Sequence, residues 1–346
     1  MADTGERSPR NEWLVETVTR RQTSLDDLER RADDALGWLG VQRQANSLVR
    51  HLASWSGSRW YDSLRPEMEA HHAHLLATKV RAAGALGAFD AATLHQASRG
   101  LGVRLALMGK GGAGKTMISS TLTRLLGRGG QPVLAVDLDT NPGLAISLGL
   151  PATDAGLPSE AVVEQPGSAY GWALAPGLEP RQVVDRYALE GPDGVRYLGM
   201  GKIGTTDKTH TRQSVVGLLH VLLNFAEPGW HVIADMEAGP TSPFEHYHAF
   251  ADDVLVVLGP AWRSGMTARR LLPMVGEGRT TTIVANRFRD EPDHPGLSPA
   301  IRIPFDPAVA EAERRGLPPL DFCPDSPTIT AIRQLAELFV DQEVRA

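Results

Sequence analysis

At 346 residues, with 42% hydrophobic and 22% charged residues, the chain has the composition of a folded globular protein and length enough for two domains. A net charge of −6 excludes a global basic field of the kind that draws proteins onto nucleic acid or anionic membranes. The single cysteine, Cys323, excludes an internal disulfide framework and any metal site built from several cysteines of one subunit.

No apolar run approaches the roughly 18–20 residues of a membrane span. The stretch Met1–Arg7 is polar and lacks the apolar core of a signal peptide. A cytoplasmic location is therefore expected.

In chain order, residues 1–98 read as a helical domain and 99–346 as a second domain. Trp13, Leu14 and Val18, then Leu25 and Leu28, recur at helical spacing, and Thr23-Ser24-Leu25-Asp26-Asp27 reads as a helix start. Leu36, Leu39, Leu48, Leu52 and Trp55 continue the pattern, and Leu75, Leu76, Val80, Leu86 and Leu94 form a later stripe. Trp13, Trp38, Trp55 and Trp60 are read as core. His71, His72 and His74 are read as a solvated helix face, without an acid to complete a metal set.

From Val103 the pattern changes to strand, loop and helix. Apolar strands are predicted at Val103–Met108, Pro132–Asp137, Trp230–Asp235, Asp253–Leu258 and Thr281–Asn286, with helices at Met117–Leu126 and Thr328–Val340. The last helix is expected to pack Ile332, Leu335, Leu338 and Phe339 on one side. Continuous apolar strands alternating with helices predict an α/β fold whose mostly parallel sheet is covered on both faces.

Between the first strand and its helix lies Gly109-Lys110-Gly111-Gly112-Ala113-Gly114-Lys115-Thr116. Glycines at this spacing let backbone N–H groups turn toward phosphates, and the helix N-terminus adds a favourable dipole. Lys115 is predicted to bridge the β- and γ-phosphates of ATP, and Thr116 to ligate Mg²⁺. Gly109 to Thr116 and the following Met117 form the expected nucleotide-contacting stretch. Two acidic loops follow later strands. Asp137-Leu138-Asp139 ends one of them, and in the other Asp235 is expected to hold the Mg²⁺ shell and Gly239 to offer its N–H to the γ-phosphate.

Lys110, in Lys-Gly-Gly-x-Gly-Lys-Thr, makes the loop resemble the deviant Walker A motif of the MinD/ParA/nitrogenase-iron-protein class of ATPases. That resemblance implies a homodimer closed around nucleotide, with Lys110 reaching the partner's phosphates. It also makes Asp139, at the position of the class's first switch, the residue expected to orient the attacking water, although Thr140 stands where proline is usual. Asp235-Met236-Glu237-Ala238-Gly239, Tyr197–Ile203, Asn286-Arg287 and Ile303-Pro304-Phe305-Asp306 resemble CooC-type ATPases of carbon monoxide dehydrogenase maturation. The resemblance places Asn286, Pro304 and Asp306 around the adenine. It spans Val103 to Val340 and omits the first hundred residues. Where that family carries Cys-x-Cys, this chain has Thr209-His210-Thr211, which puts a metal role in question.

The expected activity is that of an ATP-hydrolysing switch acting on an unidentified partner protein. Alternatives are a ParA-like positioning ATPase using arginine patches (Arg263, Arg269, Arg270; Arg279, Arg287, Arg289) for DNA, a metalloenzyme maturation factor, or a non-catalytic adaptor. Overall acidity argues against nucleic acid. The helical region is expected to dock a partner or regulate the ATPase, His246 and His248 are candidate reporters of nucleotide state, and Cys323 is expected to be an apolar filler.

Overall fold

The computed structural model describes residues 8–55, 59–139, 143–165, 171–201, 208–239, 247–275, 279–289 and 292–340. Among these residues the first elements are the helices α1 (Pro9–Arg31), α2 (Ala35–Trp55), α3 (Arg59–Ser63), α4 (Arg65–Leu86) and α5 (Ala91–Gly100). Then follow β1 (Arg104–Gly109), α6 (Lys115–Arg128), β2 (Val133–Leu138), α7 (Leu144–Leu148), β3 (Val162–Glu164), β4 (Trp172–Leu174), α8 (Pro180–Tyr187), β5 (Leu189–Glu190), β6 (Val195–Gly199), α9 (Lys208–Asn224) and β7 (His231–Met236). The last elements are β8 (Asp253–Leu258), α10 (Trp262–Val275), β9 (Thr280–Phe288), β10 (Ile301–Pro304), α11 (Pro307–Arg315), α12 (Pro319–Phe322) and α13 (Pro327–Val340).

Among the described residues, eight strands form one sheet in the order β10-β9-β8-β1-β7-β2-β6-β5, parallel throughout except for the β5–β6 pair. A separate antiparallel pair joins β3 to β4. Alternation along β1 explains the layers. Leu105 and Leu107 meet Ile118 and Leu122 of α6 and Ile332 and Leu335 of α13. Ala106 and Met108 face the opposite way, toward Leu218 and Leu222 of α9 and Leu271 of α10. Both faces are buried, as the unbroken apolar strands require. Among the described residues, no helix is long and apolar enough to cross a membrane.

The helical region has its own core, with Leu14, Leu25, Val41, Met68 and Leu75 buried together. Its α2 docks beneath the sheet. Arg43 donates to the carbonyls of Leu101 and Gly102 at 2.9 and 2.8 Å, and pairs with Asp252 at 2.9 Å. Arg50 reaches Asp252 at 2.8 Å. These contacts lie at the entry ends of β1 and β8, whereas the glycine loop leaves the exit end of β1, about 20 Å away for six extended residues.

The structure departs from the sequence pattern at several points. Thr23–Asp27 does not start a helix, because α1 runs unbroken. Its true cap is Ser8, whose hydroxyl accepts from Asn11 N–H, followed by Pro9, while Thr23 bonds the carbonyl of Thr19 within the helix. The α4 stripe is split: Leu75 and Leu86 are buried, but Leu76 and Val80 face solvent, because alanines on both sides of the helix blur its polarity. His71 is buried, and His74 bonds Asp26 Oδ1 at 2.9 Å, so only His72 of the three is fully on a solvated face. Leu338 is exposed, and Ile329 fills the α13 core face that it was expected to share. Trp13 is core and Trp38 packs against it; the side chains of Trp55 and Trp60 lie outside those described.

Candidate phosphate-binding site

The sheet order puts β7 between β1 and β2, so the glycine loop, Asp235 and Asp137 leave adjacent strands. Asp137 stands directly opposite Asp235 in the β2–β7 register. In the loop, Ala113 N–H closes a turn on the carbonyl of Lys110 at 3.1 Å. Gly114, at φ 91, caps the start of α6, and a Cβ there would lie 2.2 Å from Asn286 Nδ2. Glycine is what allows the asparagine to close on the loop.

Thr116 Oγ1 donates to Asp235 Oδ2 at 2.6 Å. Asp235 Oδ1 is buried without a hydrogen-bond partner. Burial, and then the neighbouring Asp137, raise the Asp235 carboxyl to about 7, against the pull of Thr116 and the nearby Lys115. Lys115 itself is buried at the foot of α6. Gly239 N–H donates to the carbonyl of Gly109 at 3.2 Å, bringing the second acidic loop against the first residue of the glycine loop.

Asp137 is a site residue that sequence reasoning did not single out. Its Oδ1 accepts from Asp139 N–H at 3.1 Å and its Oδ2 from Leu144 N–H at 3.0 Å, tying together both sides of the first acidic loop. Burial, with Asp139 as a like charge, pushes its carboxyl up to about 6. The available signal was an aspartate inside an apolar strand, two residues before Asp139. Asp139 is half-buried and close enough to act electrostatically on both Asp137 and Asp235. The three acids therefore converge beside the loop. Residues 140–142 lie outside the described set.

Met117, Asn286, Pro304 and Asp306 line one cavity of about 110 Å³. Asn286 Nδ2 donates to the carbonyl of Ala113 at 2.7 Å, leaving Oδ1 buried and unpartnered. Asp306 caps α11 through Ala308 N–H at 2.8 Å. A second cleft of about 370 Å³, lined by Lys110, Gly111, Gly112, Pro260, Arg287 and Arg289 among others, opens on the outer side of the loop. Lys110 Nζ rests on the carbonyl of Gly111 at 3.1 Å.

Other candidates are not gathered here. His248 is buried, with Nε2 3.2 Å from the carbonyl of Val275, which makes it a core residue rather than a surface reporter; His246 lies outside the described residues. The side chains of Thr209, His210 and Thr211 also lie outside them. Among the described residues, no cluster of three or more His, Cys, Asp or Glu could hold a metal ion. Cys323 is half-buried against the α6–α13 core, consistent with packing. The second arginine patch is not a free basic surface. Arg279 donates to the carbonyls of Ala249, Ala251 and Val275, Arg287 pairs with Glu313, and Arg289 stacks 4.0 Å over Phe305.

Strand order, glycine loop and convergent acids together define a P-loop NTPase fold. The model of the CobQ/CobB/MinD/ParA nucleotide-binding domain matches residues 105–320, and the chain belongs to that family. Its relatives include the carbon monoxide dehydrogenase accessory protein CooC of Rhodospirillum rubrum, 28% identical over 250 residues covering 64% of this chain and 91% of CooC. An uncharacterised ATP-binding protein of Methanocaldococcus jannaschii is 28% identical over 240 residues, covering 62% of this chain and 90% of that protein. The cell division ATPase MinD of Pyrococcus furiosus shares the fold at TM-score 0.52 and 23% identity, over 68% of this chain and 97% of MinD. A ParA family ATPase of Chlorobium tepidum does so at 0.53 and 19%, over 68% and 98%.

Proposed function

We propose that the chain binds and hydrolyses ATP with Mg²⁺ and works as a nucleotide-dependent switch on a partner protein. The carrying observation is the Thr116–Asp235 pair, whose second carboxylate oxygen is buried and unsatisfied beside the glycine loop. A hydroxyl and a carboxylate are hard oxygen donors, the set that Mg²⁺ takes with phosphates, so Thr116 and Asp235 fit as the residues that would hold it. When bound, the ion offsets phosphate charge.

The chain's own residues supply the rest. Loop amides and Lys115 bind the β- and γ-phosphates, and Gly239 N–H, on leaving the carbonyl of Gly109, donates to the γ-phosphate. Asp139 orients the attacking water and is the acceptor for its proton. Asn286 Oδ1 accepts from the adenine amino group, and Pro304, Asp306 and Met117 enclose the base. Lys110 reaches the partner's phosphates in an ATP-bound homodimer. The helical region, residues 1–98 apart from the ATPase domain 99–346, docks the client. Its seat beneath the sheet supports that reading, since it leaves the phosphate loop uncovered.

Calorimetry with MgATP, and ATP turnover by wild type, Lys115→Ala and Asp139→Ala, test this. Saturable binding, slow turnover in wild type and loss of turnover in both variants are expected. No uptake of MgATP, or equal rates in all three proteins, removes the reading.

A further inference from the structure

The chain alternates sides along a regular strand, so Asn286 and Arg287 of β9 should point to opposite faces of the sheet. They do not. Asn286 donates to the carbonyl of Ala113 at 2.7 Å, and Arg287 Nη1 donates to the carbonyl of Gly112 at 3.3 Å. Two consecutive residues of β9 grip two consecutive carbonyls of the glycine loop.

A bulge makes this possible. Against β10, Ile303 pairs with Asn286 but Pro304 pairs with Phe288, so Arg287 is the extra residue. It sits at φ 62, in the left-handed region, where a long side chain is strained. Backbone strain of this kind persists where surrounding contacts over-determine it. Here those contacts are the loop carbonyl and Glu313 of α11, both of whose carboxylate oxygens accept from Arg287 Nη2, at 2.9 and 2.7 Å. Arg287 also lines both cavities, the smaller one beside Asn286, Pro304 and Asp306 and the outer cleft beside Lys110.

We propose that Arg287 is a positioning residue that ties the base cavity to the outer turn of the phosphate loop, so that affinity for the triphosphate depends on the base it carries. The inference rests on the proposed ATP site. A purine entering the cavity lies along the planar guanidinium, a surface on which rings stack. That same guanidinium holds Gly112 through its other nitrogen. Occupying the cavity thus secures the loop conformation that the phosphates need, whereas inorganic tripolyphosphate, with no base, draws nothing from this coupling.

The experiment measures Kd for MgATP and for magnesium tripolyphosphate with the full chain, as wild type, Arg287→Gly and Glu313→Gln. Glycine accepts the positive φ, so the first variant removes the side chain without straining the bulge. The second keeps Arg287 but weakens its anchor, and it covers the case in which the first does not fold. Removing the contact is expected to weaken MgATP binding about tenfold in Arg287→Gly and less in Glu313→Gln, the scale of one charge-assisted contact, while tripolyphosphate stays within about twofold of wild type. An equal loss for both ligands makes Arg287 a mere prop of the loop and overturns the proposal. So does an unchanged ATP affinity in both variants. Failure of wild type itself to bind MgATP strikes the ATP site instead.

Discussion

The hydroxyl of Thr116, on the first turn of α6, lies 2.6 Å from the carboxylate of Asp235 at the end of β7. The two residues are 119 positions apart in the chain and meet because β7 is paired directly with β1, the strand that feeds the loop. Asp235 bears the cost of this placement. It is buried beside another acid, with one oxygen unpartnered, and its carboxyl is raised to about 7. The role proposed for it, holding Mg²⁺, and the stability of the fold therefore make opposite demands on it.

Asp235→Asn should separate the two demands. Without nucleotide, at pH 7.5, the variant is expected to melt no lower than wild type, because it removes a buried charge. Under the proposed role its affinity for MgATP should fall on the order of 100-fold. Differential scanning calorimetry and titration calorimetry on the same sample check both halves.

Gly114→Ala should be costly where Gly130→Ala is mild. Both glycines have φ above 90, but a Cβ at Gly114 meets Asn286 Nδ2 at 2.2 Å, whereas at Gly130 nothing lies within 4 Å. Strain alone costs on the order of 1–3 kcal/mol at either position. Only Gly114→Ala should also abolish nucleotide binding, by forcing Asn286 off the loop. Chemical denaturation paired with nucleotide binding distinguishes them.

Asp252→Asn should loosen the helical region without touching the nucleotide site. Burial pushes the Asp252 carboxyl up, but Arg43, Arg50 and Arg104 outweigh it and hold the carboxyl below its usual range. The stability it contributes is present above the ordinary aspartate range and is lost as pH falls below it. Removing the charge leaves those guanidinia uncompensated, at a cost on the order of 3 kcal/mol. Equilibrium unfolding should show the loss, with MgATP affinity unchanged.

His71 should make the helical region acid-sensitive. Burial, with Arg21 nearby, lowers its pKa from 6.5 to about 4. The folded state holds this ring neutral while the unfolded chain protonates it, so stability falls as pH drops from about 6.5 toward 4. The loss from this one residue should reach about 2 kcal/mol at pH 5. Comparing the melting of His71→Leu with wild type at pH 7.5 and pH 5 isolates it. The advantage of wild type over the variant should shrink at the lower pH.

The chain alone determined what is local. The glycine loop, the apolar strands around it and the last helix are contiguous stretches whose spacing is their signal, and Lys115, Thr116 and Asp235 stand out as candidates for the same reason, Asp139 by resemblance. The tertiary structure decided which of these meet. Strand order, set by long-range pairing, put Asp137 opposite Asp235 and gave it a place in the site that no spacing announces. The bulge that turns Arg287 onto the loop exists only in the register of β9 against β10. In the helical region, alanine-rich α4 carries too little contrast between its faces to say which is inside, so the burial of His71 and the exposure of Val80 were settled by packing against α1 and α2. Covalent neighbours announce themselves in the chain, whereas side chains brought together from distant strands acquire their chemistry only once the sheet has closed around them.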